Sequence, residues 1–119
     1  MVLVDSSVWI DHFRRSSARL TALLDDGDVC THALVIGELA CGQLTPRRST
    51  LELLHALPRA AEASEPEVLA LIEHARLAGS GLGIVDVHLL AAAKLSDASL
   101  WTHDRALSAA AARLGLSAP

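Results

Sequence analysis

The chain of 119 residues contains one phenylalanine, two tryptophans and no tyrosine. Three rings cannot line a groove in which successive bases of a single strand stack, so an extended stacking platform is excluded. Its two cysteines, Cys30 and Cys41, lie in apolar surroundings and form no CxxC pair, which fits two unbridged thiols in a reducing compartment. A zinc site from Cys30, His32 and Cys41 is conceivable but disfavoured. No apolar run approaches the roughly 20 residues that span a bilayer. The first residues also lack the basic region and long apolar core of a signal peptide. These absences lead to the expectation of a cytoplasmic protein with no membrane partner.

What is present is half apolar, without low-complexity segments, and long enough to enclose one core. One domain over residues 1–119 is expected. Ten basic residues face fourteen acidic ones, for a net charge of −4, which alone argues against a nucleic-acid binder. The distribution changes that argument. Asp5, Glu38, Asp86 and Asp104, singled out below, account for the whole excess, so a divalent cation among them would leave a balanced surface.

Met1-Val2-Leu3-Val4 is an apolar run that ends without a spacer on Asp5-Ser6-Ser7. It reads as a buried strand with an acid at its carboxyl end, where ligand crevices of open parallel sheets lie. The competing reading is a turn in which Ser6 or Ser7 caps the next helix. A short helix from Ser7 to about Arg15 follows, with Trp9 and Phe13 spaced four apart for packing rather than ligand stacking. Ser16-Ser17 caps a helix through Leu20, Leu23 and Leu24, which Asp25-Asp26-Gly27-Asp28 ends. Arg14, Arg15 and Arg19 form a small basic patch, either a solvated face or a rim for phosphates.

Val29 to His32 predicts a second strand, leading into a helix over 33–42 that is apolar nearly all round. Glu38 sits inside it with Leu34, Val35, Cys41 and Gly42 as same-face neighbours, none able to pair with its charge. Such a carboxylate is costly without a cation or a proton, so a functional role is favoured over a side chain that simply reaches solvent. Thr45-Pro46-Arg47-Arg48 starts the next helix, up to Pro58, and Arg47 and Arg48 are a second candidate rim. Ala60 to Ala63 is a short extended piece, and Ser64-Glu65-Pro66-Glu67 opens a helix that runs to Ala78. Residues 82–93 repeat the pattern of Glu38, with Asp86 alone in an apolar helical run and a helix cap as its competing role. Ser99 to Thr102 reads as the last strand. His103-Asp104 stands at its end, repeating the geometry of Asp5, with capping of the Ala-rich helix from Arg105 to about Leu114 as the alternative.

Strands and helices that alternate in this way indicate an α/β fold with a central parallel sheet flanked by helices. If the four acids converge, they form a carboxylate pocket that needs neutralising. All-oxygen donors without His or Cys select Mg²⁺ or Mn²⁺ rather than zinc, and the implied substrate is a phosphate ester or phosphodiester.

Taken together, Asp5-Ser6-Ser7 after an apolar strand, the lone Glu38, Asp86 followed by His88-Leu89-Leu90-Ala91-Ala92, and Thr102-His103-Asp104 after the last strand resemble PIN-domain nucleases. In spacing and size the chain is most similar to the VapC-type ribonuclease toxins of toxin–antitoxin pairs. The resemblance covers nearly the whole chain. It implies a PIN-like three-layer fold, a Mg²⁺ or Mn²⁺ site, endonucleolytic cleavage of RNA, a homodimer, and inhibition by a cognate antitoxin protein. It also implies a catalytic tetrad of Asp5, Glu38, Asp86 and Asp104, with metal held by Asp5 and Asp86 or Asp104, and with Ser6 and Thr102 as secondary polar groups. One departure is that such proteins usually continue past the last helix into an edge strand, whereas this chain stops at Leu116-Ser117-Ala118-Pro119. The alternatives are another acid-pocket, Mg²⁺-dependent phosphate enzyme and a catalytically inactive PIN-like module that binds a protein. A dehalogenase-like phosphatase would need an Asp where Ser7 stands, and a receiver domain would need a Lys after its last central strands, whereas the only lysine is Lys94.

Overall fold

The structure, a computed structural model, describes residues 1–119. Its elements in chain order are β1 (Val2–Val4), α1 (Ser6–Arg14), α2 (Ala18–Asp25), β2 (Val29–Cys30) and α3 (Ala33–Cys41), then α4 (Arg47–Ala56), α5 (Glu65–His74), α6 (Ile84–Leu95), β3 (Ser99–Trp101) and α7 (Arg105–Arg113). The three strands are parallel in the order β2-β1-β3, with Leu3 opposite Cys30 on one side and Leu100 on the other. Helices cover both faces of such a sheet, so its central strand is apolar on both sides, and Val2, Leu3 and Val4 are all buried.

Twenty-eight buried apolar residues form one cluster, with Leu3, Leu20, Leu89, Leu90 and Leu107 among its fully enclosed side chains. Beyond β2, Thr31 bridges Arg59, so the extended piece expected over 60–63 makes its sheet contact one residue earlier. Beyond β3, Leu100 donates its N–H to Leu116 O at 2.6 Å and accepts from the Ala118 N–H at 3.1 Å. Residues 116–118 therefore run along the sheet edge for which no strand was expected.

Helix α5 begins as the sequence predicts. Ser64 Oγ accepts the Glu67 N–H at 3.3 Å, and the Glu67 carboxylate accepts the Ser64 N–H at 2.9 Å. It ends at His74 rather than Ala78. Arg76 adopts a left-handed φ of 53°, and the Leu77 N–H turns back onto Ile72 O at 2.9 Å, which closes the helix with a non-glycine residue. No helix is long and apolar enough to cross a membrane.

Candidate active site

The parallel pairing of β1 with β3 sets Val4 beside Trp101, so the residues that follow both strands emerge together. Asp5 donates its N–H to Trp101 O at 2.9 Å. Its carboxylate, in a residue only 6 % exposed, accepts at Oδ2 the Ser7 hydroxyl at 2.7 Å and the Thr102 hydroxyl at 2.8 Å. Those hydroxyls accept in turn. Ser7 Oγ takes the His103 N–H and Thr102 Oγ1 takes the Asp104 N–H, each at 3.0 Å. Two strand-to-helix elbows are thus tied together through one buried carboxylate.

Helix α3 packs against α1 and brings Glu38 to the same place. Ser6 donates to Glu38 Oε1 at 3.0 Å, and the same hydroxyl oxygen lies 3.5 Å from Asp5 Oδ1. The sequence neighbours of Glu38 predict a carboxylate sunk in an apolar helix, but it is exposed, because Gly37, Glu38 and Cys41 form an open side of α3. Partial burial still lifts its pKa above the ordinary glutamate value, the Ser6 hydrogen bond offsets part of the rise, and the charges of Asp5 and Asp86 add to it.

Asp86 lies in the first turn of α6 and accepts the Gly83 N–H at Oδ2, 3.0 Å away. Burial raises its pKa most; the Gly83 bond opposes this, and Asp104 and Asp5 raise it further. Asp104 is exposed and caps α7, its Oδ1 accepting the Leu107 N–H at 2.8 Å. Capping and membership of the cluster coexist in both residues, because helix N-termini carry unpaired N–H groups and a partial positive charge.

The structure therefore draws the four acids into one electrostatic neighbourhood. It does not close them on a point, since no group of three His, Cys, Asp or Glu side chains is gathered closely enough to hold a metal ion directly. Asp86 and Asp104 are each turned back to a helix N-terminus and Asp5 is held by two hydroxyls. The donor chemistry, all carboxylate and hydroxyl oxygen, suits Mg²⁺ or Mn²⁺, and Mg²⁺ commonly keeps several waters while using one or two carboxylates. Cys30 and His32 are buried and Cys41 is exposed, and the disfavoured zinc set does not form.

The arginines divide. Arg14 shares a cleft of about 460 Å³ with Glu38, and Arg15 is exposed nearby. Arg47 instead donates to Ala40 O at 2.8 Å and Gly42 O at 3.2 Å, capturing carbonyls at the end of α3, and Arg48 makes an exposed pair with Glu52 at 3.6 Å. Trp9 is buried, whereas Phe13 beside it remains 42 % exposed. Ser7 was visible in sequence only as a possible helix cap; its partners Thr102 and His103 become neighbours only through strand pairing. His103 also meets Asp11, Nδ1 to Oδ2 at 2.5 Å, a contact with no local sequence signal.

The family model for the PIN domain matches residues 2–113. Two relatives, each named Ribonuclease VapC32, come from Mycobacterium tuberculosis strains CDC 1551 / Oshkosh and ATCC 25618 / H37Rv. Each is 46 % identical over 118 residues, which is 98 % of this chain and 95 % of the relative. Among solved structures, FitAcB from Neisseria gonorrhoeae is similar with a TM-score of 0.66 at 22 % identity, covering 94 % of both chains. PAE2754 from Pyrobaculum aerophilum is similar with a TM-score of 0.62 at 20 % identity, covering 92 % of this chain and 78 % of that one.

Proposed function

We propose, on the premise that this chain belongs to the PIN-domain family, that it is a metal-dependent endoribonuclease and the toxin of a type II toxin–antitoxin pair. The observation that carries the reading is the grouping of Asp5, Glu38, Asp86 and Asp104 from four separate elements in one neighbourhood, where Glu38 feels the charges of Asp5 and Asp86, and Asp86 those of Asp104 and Asp5. The ribonuclease name of relatives 46 % identical over nearly the whole chain supports RNA as the substrate.

Asp5, Asp86 and Asp104 would hold Mg²⁺ or Mn²⁺, with Glu38 ligating directly or through water. Such an ion, when bound, orients a water and offsets charge building on the phosphoryl oxygens. The chain's own groups do the rest. Ser7 and Thr102 fix the Asp5 carboxylate, and Ser6 fixes that of Glu38. The Glu38 carboxylate, oriented by the Ser6 hydroxyl, would accept a proton from an attacking water. Arg14 would contact an RNA phosphate, a role supported by its sharing a cleft with Glu38.

The antitoxin would lie along an apolar groove lined by Phe13, Leu24, Leu53 and Leu57, where Leu53 is 71 % exposed. A homodimer in the cytoplasm completes the reading. It is tested by sequencing the RNA ends produced by the purified protein in Mg²⁺, in Mn²⁺ and in excess EDTA, with Asp5→Asn in parallel. New internal ends in metal only, and none from Asp5→Asn, are expected. Undiminished cleavage in EDTA would refute the metal-dependent mechanism.

A further inference from the structure

The cleft that Arg14 shares with Glu38 lies between the second half of α1 and the connection from α3 to α4. Its apolar walls include Phe13, Leu39 and Leu44, and its polar lining, besides Glu38, is Arg14, Gln43, Thr45 and Thr50. A volume of about 460 Å³ falls in the range of roughly 300–1,000 Å³ usual for small-ligand clefts. Of the four clustered carboxylates only Glu38 borders it, so the cleft adjoins the reacting centre without coinciding with it.

We propose that this cleft is a subsite for a single nucleobase of single-stranded RNA beside the scissile phosphate. The inference rests on the ribonuclease reading. A nucleotide presents a flat apolar face, an edge of donors and acceptors, and a phosphate, and each has a counterpart here. The exposed part of the Phe13 ring stacks on the base. The Gln43 amide, with two N–H donors and a carbonyl acceptor, reads its edge. The Arg14 guanidinium contacts the adjoining phosphate. One exposed ring serves one base, which accords with a chain too poor in aromatics to stack a run. The neighbouring groove, which also borders Phe13, contains no arginine and no amide. It suits the apolar side of a protein, whereas the Arg14 cleft suits a nucleotide.

The test compares wild type, Gln43→Ala and Phe13→Leu by cut-site sequencing on a random RNA pool with Mg²⁺. In parallel, amide NMR shifts of the wild type are followed during titration with the four ribonucleoside 5′-monophosphates in EDTA. Wild type should prefer one base at one position next to the cut. Gln43→Ala should lower that preference about fivefold or more, the scale of a lost base-edge contact. Phe13→Leu should raise KM about tenfold with little change in kcat, as expected for a lost stack. Nucleotide shifts should centre on residues 10–14 and 39–45. Base preference and KM that survive both substitutions, or shifts that centre elsewhere, would overturn the subsite, as would a cleft that ignores nucleotides and takes up a peptide. Should wild type cut no RNA, the ribonuclease reading fails and the nucleotide titration decides alone. Base-selective shifts in the cleft then support the subsite, and their absence overturns it.

Discussion

Replacing Glu38 with glutamine removes one charge from the carboxylate cluster while leaving its shape intact. The amide oxygen of the variant side chain can still accept the Ser6 hydroxyl. That hydroxyl oxygen lies 3.0 Å from Glu38 Oε1 and 3.5 Å from Asp5 Oδ1, so the two carboxylate oxygens are no more than about 6.5 Å apart. Two unit charges at that separation and an effective dielectric near 20 repel by about 2.5 kcal/mol. Because Glu38 is exposed, water and salt reduce this to roughly 1 kcal/mol. Relief of desolvation, the largest cause of its raised pKa, acts in the same direction. Glu38→Gln should therefore be more stable than wild type by about 1 kcal/mol at pH 7 in EDTA and low salt. A raised folded pKa means that the ionised group opposes folding. The penalty is full above the folded pKa and fades as pH falls through it, so the gap should vanish by about pH 4, near the unfolded value. Urea denaturation of both proteins at pH 7 and pH 4, with RNA cleavage in Mg²⁺ at pH 7, measures each part. Cleavage should fall by at least about tenfold. A variant no more stable than wild type at pH 7, or a gap that widens in acid, would refute the electrostatic reasoning.

Asp86→Asn should stabilise the protein in EDTA and abolish cleavage. Asp86→Ala should be the less stable of the two by about 1 kcal/mol, since it leaves the Gly83 N–H unpaired. Either variant cutting RNA at the wild-type rate would remove Asp86 from the catalytic set. Asp104→Asn should keep the α7 cap, Asp104→Ala should cost about 1 kcal/mol, and both should lose activity. An active Asn variant would leave Asp104 a cap alone. Arg14→Ala with Arg15→Ala should weaken RNA binding and flatten its salt dependence, whereas Arg47→Ala should cost about 1 kcal/mol of stability with an unchanged salt slope. Filter binding from low to high salt and denaturant melts separate the two, and a slope unchanged in the double variant would make the patch a solvated face.

The buried central strand was legible because a parallel sheet covered on both faces demands an unbroken apolar run, and Met1-Val2-Leu3-Val4 supplies it. So was the start of α5, where Ser64 and Glu67 encode a reciprocal cap within four residues. Its end was not. Left-handed closure at Arg76 uses a residue that carries no preference for it, where a glycine would have announced the turn. For Asp86 and Asp104, the local and the site readings competed in sequence, while the fold lets each residue hold its helix start and still stand near the other acids. Ser7 and Arg47 mark the boundary of legibility. The first finds its partners across the β1–β3 pairing, 95 and 96 residues away, and the second turns back onto carbonyls of the preceding helix.

Asp5 Oδ2 already accepts two hydroxyl protons, from Ser7 and Thr102, and Oδ1 is the oxygen left with room for a partner. A cation arriving there meets a single oxygen rather than a chelating pair. Calcium, with its large and flexible shell, draws on bidentate carboxylates, whereas magnesium is content with single oxygens at the corners of an octahedron. On the proposed metal-dependent reading, the two hydroxyls beneath Asp5 would leave an ion one carboxylate oxygen and so favour magnesium: calcium should compete poorly with magnesium at this chain, and Ser7→Ala with Thr102→Val should narrow the difference.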